Sequence, residues 1–459
     1  MTATGADFYL LLSVETAVVA VLAGVLWVRT RSVALPLGIA LIYYFSLLGA
    51  WFVITDLTGS DNSKLGFTYY YLFDRLFDIA LDRDYFAALV LHGVFVSVVC
   101  LTLLVTMRPL RVDPEREARV TIKHWRIILL SAIAGAAAFA LVRDQLAEAA
   151  SGGLSAYVLT RANENDPLFS IGAVLTRMAL VPASLGFAAW WSGADARFIR
   201  GEDNGRRALI GYLIVIGAMY AMSVALGNKN ELLFSLLAAA LFYHVNARRP
   251  RTLRLVVLGV TAVVAIAMIE ILRAVPFELI LSAISADNVA LAALGPLQSN
   301  EIFAAHFSMY GVLHYRLSYT WGASLVNLAV SVIPRILWPS RPPDVYAYYA
   351  TNVGSVEGQG YTIHHDAGWY LNFGVAGVIL GACALALVWA SVQNALMRDR
   401  VRGKARELFV CIAPWTMVAG LPALLRGGPE AYKGLIVNSF AVPTLVLLAG
   451  AWGVARRGR

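Results

Sequence analysis

The chain has 459 residues, 59% of them hydrophobic and 14% charged, and a mean hydropathy of +0.67, which excludes a soluble globule of ordinary surface composition. Its net charge of +8 is gathered in short loop clusters, so it is read as membrane topology and not as a nucleic-acid-binding domain. In chain order, apolar runs of roughly 17 to 25 residues, the length that crosses a bilayer as a helix, are predicted near 8–28, 32–54, 85–107, 126–142, 169–193, 208–226, 232–246, 255–275, 370–394, 408–425 and 435–455. They are too long and unbroken for barrel strands, so the expected fold class is all-α: a polytopic membrane protein with about 11 transmembrane helices and one large extracytoplasmic loop. The first run lacks a basic leader and ends in Trp27 and Arg29 rather than a small-residue cleavage site, which predicts a retained helix.

Cations set the expected orientation. Of 37 Lys and Arg, 24 fall on alternate loops, from Arg29 and Arg31 through the clusters at 108–126, 197–207, 248–254 and 398–406 to the C-terminus. That face is predicted to be cytoplasmic, with the N-terminus outside and the C-terminus inside a bacterial inner membrane. Cys100, Cys383 and Cys411 lie within predicted spans and imply no disulfide. No Walker loop, no Cys-x-x-Cys and no His-x-x-x-His pair occurs, which argues against nucleotide hydrolysis and structural zinc.

The chain thus divides into spans one to eight (1–275), a long outer stretch (276–369) and spans nine to eleven (370–459). A connection as long as the middle segment is a place to look for function. It holds His306, His314, His364 and His365, three arginines, six carboxylates including Glu301, and an apolar piece from Trp321 to Pro334 expected to lie at the interface. Its aromatics, among them Trp338 and Tyr361, suit sugar binding, and equally suit the aromatic belt at headgroup depth. Ile363-His364-His365-Asp366 places imidazoles beside a carboxylate. That pattern suits proton abstraction from a hydroxyl, and it also suits a solvated turn or a His–Asp pair that only fixes loop structure. Its spacing matches none of the standard zinc motifs, so no metal and no cofactor is expected. Within the spans, Arg177, Glu270 and Arg273 should face a partner or a cavity; Glu270 and Arg273, three apart, can pair with each other, or Arg273 can join an outer anion site.

The segment Ile333-Pro334-Arg335-Ile336-Leu337-Trp338-Pro339-Ser340-Arg341-Pro342-Pro343 resembles the Pro-Arg and Trp-Pro-x-Lys-Pro stretch of bacterial oligosaccharide repeat-unit polymerases of the O-antigen polymerase type, with Arg341 where the family often has Lys. The likeness resumes at Gly368-Trp369-Tyr370-Leu371-Asn372-Phe373-Gly374, with weaker echoes at Gly227-Asn228-Lys229-Asn230-Glu231 and Arg426-Gly427-Gly428. Arg161 to Gly172 fits the family's Arg, ten residues, Gly pattern, whereas Arg341 to Gly354 is two positions too long for a second copy.

What the resemblance implies is a glycosyltransferase with a lipid-linked donor. It would move a growing glycan from undecaprenyl pyrophosphate to a new lipid-linked repeat unit on the outer face, in contact with membrane lipid and alongside a flippase and a chain-length regulator. Guanidinium forks suit a departing pyrophosphate. Arg335, Arg341, His364, His365 and Asp366 are therefore the expected catalytic residues, and Arg161, Lys229, Arg273, Glu301, Arg316, Trp338, Tyr361 and Arg426 the expected substrate contacts. An O-antigen ligase would use the same donor, and a lipid-linked oligosaccharide flippase should show repeats or broken helices around a cavity.

Overall fold

A computed structural model describes residues 5–32, 34–58, 79–109, 118–152, 167–202, 205–226, 229–254, 256–257, 259–261, 264, 300–330, 338, 344–354, 362–397 and 403–454. Among these, nine helices are long and apolar enough to cross a membrane: Gly5–Thr30, Ala34–Thr58, Arg83–Thr106, His124–Ala147, Val174–Asp195, Arg206–Ala225, His365–Leu396, Lys404–Leu425 and Ala431–Ala451. They coincide with nine of the eleven predicted runs, and the chain is an all-α, multi-pass membrane protein. Of the other two runs, 232–246 is a helix, Lys229–Asn246, that is not apolar enough over its length to count as a span. The 255–275 run falls largely outside the described residues, which show only a shorter apolar helix, Thr252–Thr261. Leu10, Val105 and Ile214 stand well exposed on their helices, as residues facing acyl chains must.

The chain forms two compact units. The first comprises Met1–Leu110, Pro296–Asn394 and Leu421–Leu435, and the second Arg111–Gly295, Ala395–Gly420 and Ile436–Arg459.

In the first unit, α1 (Gly5–Thr30) packs on α2 (Ala34–Tyr43) and α4 (Arg83–Thr106), whose Asp82 cap accepts a bond from the Tyr85 N–H at 2.8 Å. Between α2 and α3 (Gly49–Thr58) the helix widens into a π turn at Tyr44–Leu48. Against that turn and α4 packs α5 (Asn300–His314). The sequence places the middle segment in an extracytoplasmic loop with interfacial or re-entrant helices against the bundle; of that segment α5 is a buried helix, with every side chain from Ile302 to Val312 that is described enclosed, because Phe303, Phe307 and Tyr310 fill the space beside Tyr85 and the π turn. The turn before the next helix, α6 (Ala323–Val330), exposes Trp321 and the helix itself exposes Val326, as a piece at the interface would.

The span expected to start at 370 begins five residues earlier, as α7 (His365–Leu396), and it breaks at Phe373–Gly374. Gly374 has φ +63 and ψ −146, a conformation essentially reserved for glycine. A Cβ on Gly377 or Gly381 would collide with Trp369, so the half-helix 365–372 folds back along the longer one as a hairpin. Backbone freed by the break is answered: the Thr320 N–H donates to the Leu371 carbonyl at 2.7 Å, and the Asn372 amide donates to Ser324 Oγ and the Gly368 carbonyl.

The second unit packs α8 (His124–Gly152) on α9 (Pro167–Ser192), with α10 (Arg206–Ala225) and α11 (Lys229–Asn246) beside them. Two short parallel strands, β1 (Val120–Ile122) and β2 (Ile199–Gly201), pair Val120 with Ile199. Buried Asn246 accepts bonds from the Phe198 and Ile199 N–H groups and donates to Ser192 Oγ and the Ile199 carbonyl. The Arg197 N–H donates to the Asn246 carbonyl, the Arg248 N–H to Asp195 and the Lys123 N–H to Gly450, while Lys404 Nζ donates to Ala451 and Val454. The basic loops of this unit therefore meet at one end of it, as the alternation of cations predicts. Arg177 finds the partner that its place in a span demands: Glu231, with Nε and Nη2 at 2.8 and 2.6 Å from one carboxylate oxygen.

Candidate functional site

Polar groups accumulate inside the first unit. Asp366, at the start of α7 and 0% exposed, spans two imidazoles: His92 Nδ1 lies 2.6 Å from Oδ2, and His364 Nδ1 lies 2.6 Å from Oδ1. His92 stands nine residues into α4, about 14 Å of helical rise from its start. The bland alternative for Ile363–Asp366, a solvated turn, is overturned, since all four residues are buried.

Hydrogen-bond accounting fixes the neighbouring tautomers. His306 Nδ1–H donates to the Ser46 carbonyl at 2.8 Å, so its Nε2 accepts from the Tyr85 hydroxyl at 2.9 Å and the ring is neutral. The Ser46 carbonyl is available because the π turn displaces it from the regular ladder. His92 Nε2 faces the His306 carbonyl at 3.1 Å, an acceptor only, so that nitrogen carries hydrogen. Its Nδ1 then faces a carboxylate oxygen at 2.6 Å, and one proton or a cation must lie between them. His364 reaches Ser46 Oγ through Nε2 at 3.1 Å, while its own N–H donates to Ser308 Oγ at 2.8 Å. On α1, Glu15 packs against Gly93, beside His92, and its Oε2 is buried with no hydrogen-bond partner.

His365 does a different job. Its Nδ1–H donates to the Gly428 carbonyl at 3.1 Å, and its Nε2 accepts from the Trp369 indole at 3.0 Å, which ties the half-helix to the turn after α12 (Lys404–Leu425). Both nitrogens are satisfied, so His365 holds structure here and has no free lone pair for catalysis. Ile363 forms a parallel bridge with Gly427. The Val345 N–H, at the start of α13 (Val345–Asn352), donates to Glu430 Oε1 at 3.1 Å. Gly428 lies against Val345 and Ile363, and Gly368 against Pro429. Burial pushes the Glu430 carboxyl up to about 7, with Asp344 adding to the rise, and its Oε2 has no hydrogen-bond partner. Arg426, half-buried, opens this turn and acts electrostatically on Tyr346.

The structure thus joins two sequence-predicted pieces, His364-His365-Asp366 and Arg426-Gly427-Gly428, 63 residues apart between His365 and Gly428. Other expected contacts scatter. Arg316 is exposed in the turn after α5, and Trp338 is partly exposed. Lys229 opens α11 in the second unit, and Glu301 lies in the first turn of α5. Arg161, Arg273, Arg335, Arg341 and Tyr361 fall outside the described residues, as does Glu270. Sequence reasoning missed Glu15, His92, Ser46 and Glu430. Glu15 and His92 were open to the same rule that singled out Arg177, an ionisable group inside an apolar run. No protein-family model, no curated protein and no solved structure matches the chain.

Proposed function

We propose that the protein is a polysaccharide polymerase, a glycosyltransferase that takes its donor from undecaprenyl pyrophosphate on the outer face of a bacterial inner membrane. One observation carries the reading. Three stretches flanking or containing the family-like motifs meet in one unit: Asp344–Val345, which follows Arg341 by three positions; Ile363–Asp366; and Arg426–Glu430. Segments that hydropathy scatters along the chain, at 344–345, 363–366 and 426–430, therefore share one neighbourhood.

In this reading Glu430 is the general base. A half-buried carboxyl with its pKa near 7 is matched to proton abstraction at neutral pH. The acceptor hydroxyl gives its proton to Glu430 and its oxygen forms the new glycosidic bond at the donor's anomeric carbon. The bond from that carbon to the pyrophosphate oxygen breaks as Arg426, with Arg335 and Arg341, stabilises the departing anion. His365 holds the turn in place through its bond to the Gly428 carbonyl.

The test is glycan profiling of a strain lacking the gene, complemented with wild type, Glu430→Gln, Arg426→Ala, Arg335→Ala or Arg341→Ala at matched membrane levels. Loss of long chains, with single repeat units still reaching the final acceptor, is the expected result. Accumulation of lipid-linked polymer would instead identify a ligase, and wild-type profiles for all four variants would discard the site. The broken α7 favours a second reading, a lipid-linked oligosaccharide flippase. That reading requires lipid-linked units to stay on the inner leaflet in the deletion strain.

A further inference from the structure

We propose that His92, His364 and Asp366 bind one divalent first-row transition-metal ion within the first unit. Their candidate ligand atoms, two Nδ1 and a carboxylate oxygen, come from α4, the strip before α7 and α7 itself, and all lie within 4.8 Å of one another. Spacing along the chain hides the set, because His92 and Asp366 are 274 residues apart.

Three observations support an ion here. The first is the direction of the lone pairs. His92 Nε2 is anchored on the His306 carbonyl, which leaves its Nδ1 as a lone pair in the neutral ring. His364 Nδ1 lies 2.6 Å from Asp366 Oδ1, with the Asp366 N–H also facing it at 3.3 Å, and a metal on Nδ1 would leave the ring hydrogen on Nε2 for Ser46 Oγ. Both Nδ1 atoms thus converge on one carboxylate, and a divalent cation would satisfy all three atoms at once. The second is the outer shell. Metal-bound imidazoles characteristically hand their other N–H to a carbonyl or similar acceptor, and here His306 and Ser46 supply those acceptors.

The third is the lack of a competing cation: among the described residues Asp366 has no lysine or arginine partner. Two imidazoles and a carboxylate suit zinc or its first-row neighbours, with metal–ligand distances of about 2.0–2.2 Å. To admit the ion, the two 2.6 Å contacts need only part slightly.

The test uses the full-length protein in detergent, stripped with chelator, incubated with Zn²⁺ or Co²⁺ and freed of excess. Mass spectrometry should find about one metal per chain, and Co²⁺ should give the visible bands of a nitrogen and oxygen ligand field. His92→Asn and Asp366→Asn should lose stoichiometric binding, whereas His124→Gln, a histidine of the second unit, should keep it. Ser46→Ala should weaken affinity about 10-fold. Should the ligand variants misfold, Co²⁺ titration of the wild type alone decides. A monodisperse wild type that takes up no Zn²⁺ or Co²⁺, or variants that bind as much as wild type, would overturn the proposal. Metal content is read without any glycan assay, so this inference and the polymerase reading fail separately.

Discussion

The two units treat buried polarity differently. In the second, Asn246 spends its whole amide on backbone and Ser192 partners and Arg177 meets one oxygen of Glu231 directly, so these two groups are paired locally, while Glu231 Oε2 and Ser184 Oγ stay buried without a hydrogen-bond partner. In the first, Glu15, His92, Asp366, His364 and Ser46 form an extended chain whose charge depends on a proton or ion between partners. Both units carry a π stretch, Tyr44–Leu48 in the first and Leu435–Ala441 running into the second, but the broken helix belongs to the first, whereas α9 runs unbroken from Pro167 to Ser192 with Pro182 inside it. A broken helix beside an extended buried polar chain marks the part where chemistry is to be sought.

Substitutions sharpen that contrast. Asp366→Ala should have the largest effect, because it leaves both His92 Nδ1 and His364 Nδ1 without their carboxylate in a dry core, a loss of about 1–3 kcal/mol for each nitrogen; thermal unfolding in detergent at matched lipid content measures it. A smaller loss, about 1–3 kcal/mol, is expected of Asn246→Leu, which leaves the Phe198 and Ile199 N–H groups without their acceptor. If Asn246→Leu proved as damaging as Asp366→Ala, the contrast between the units would break. Gly374→Ala forces a Cβ into a glycine-only conformation facing the Tyr319 hydroxyl and should cost about 1–3 kcal/mol, detectable as faster hydrogen exchange confined to 365–374.

Glu430→Gln should change the pH dependence most and the stability least. The folded carboxyl sits at about 7, above its ordinary 4.5, so folding takes up a proton between those values. Its contribution is full below about 4.5 and is lost as pH rises through about 7. Melting temperatures of wild type and Glu430→Gln should therefore converge in acid, with wild type falling behind the variant between about pH 4.5 and 7 and staying behind by a constant margin above that. Parallel curves would show that the carboxyl is not raised.

Hydropathy made the helical spans legible, because a run such as Arg83–Thr106 leaves lipid as its only solvent. The reading went astray where apolar length and burial part company. Asn300–His314 is too short to span and was assigned to a loop, yet its aromatics bury it in the bundle. At the site, Ile363–Asp366 stood out because four chemically loaded residues are contiguous. Glu15 and His92 did not, each being one polar residue in an apolar run, and their relation to Asp366 exists only after folding. The break at Phe373–Gly374 was equally hidden, since a glycine within an apolar run has no fixed meaning until a neighbour such as Trp369 claims the space.

The widened turn at Tyr44–Leu48 has a counterpart in terms of insertion and deletion. A π turn is what an α-helix becomes on accepting one extra residue. Removing one residue from this stretch would restore a regular helix while swinging everything on one side of it by about 100°. The span would keep its hydropathy and lose the Ser46 carbonyl that holds His306. Length variation at this single point is therefore invisible to any scan for apolar helices, yet decisive for whether a chain like this one can hold its buried histidines.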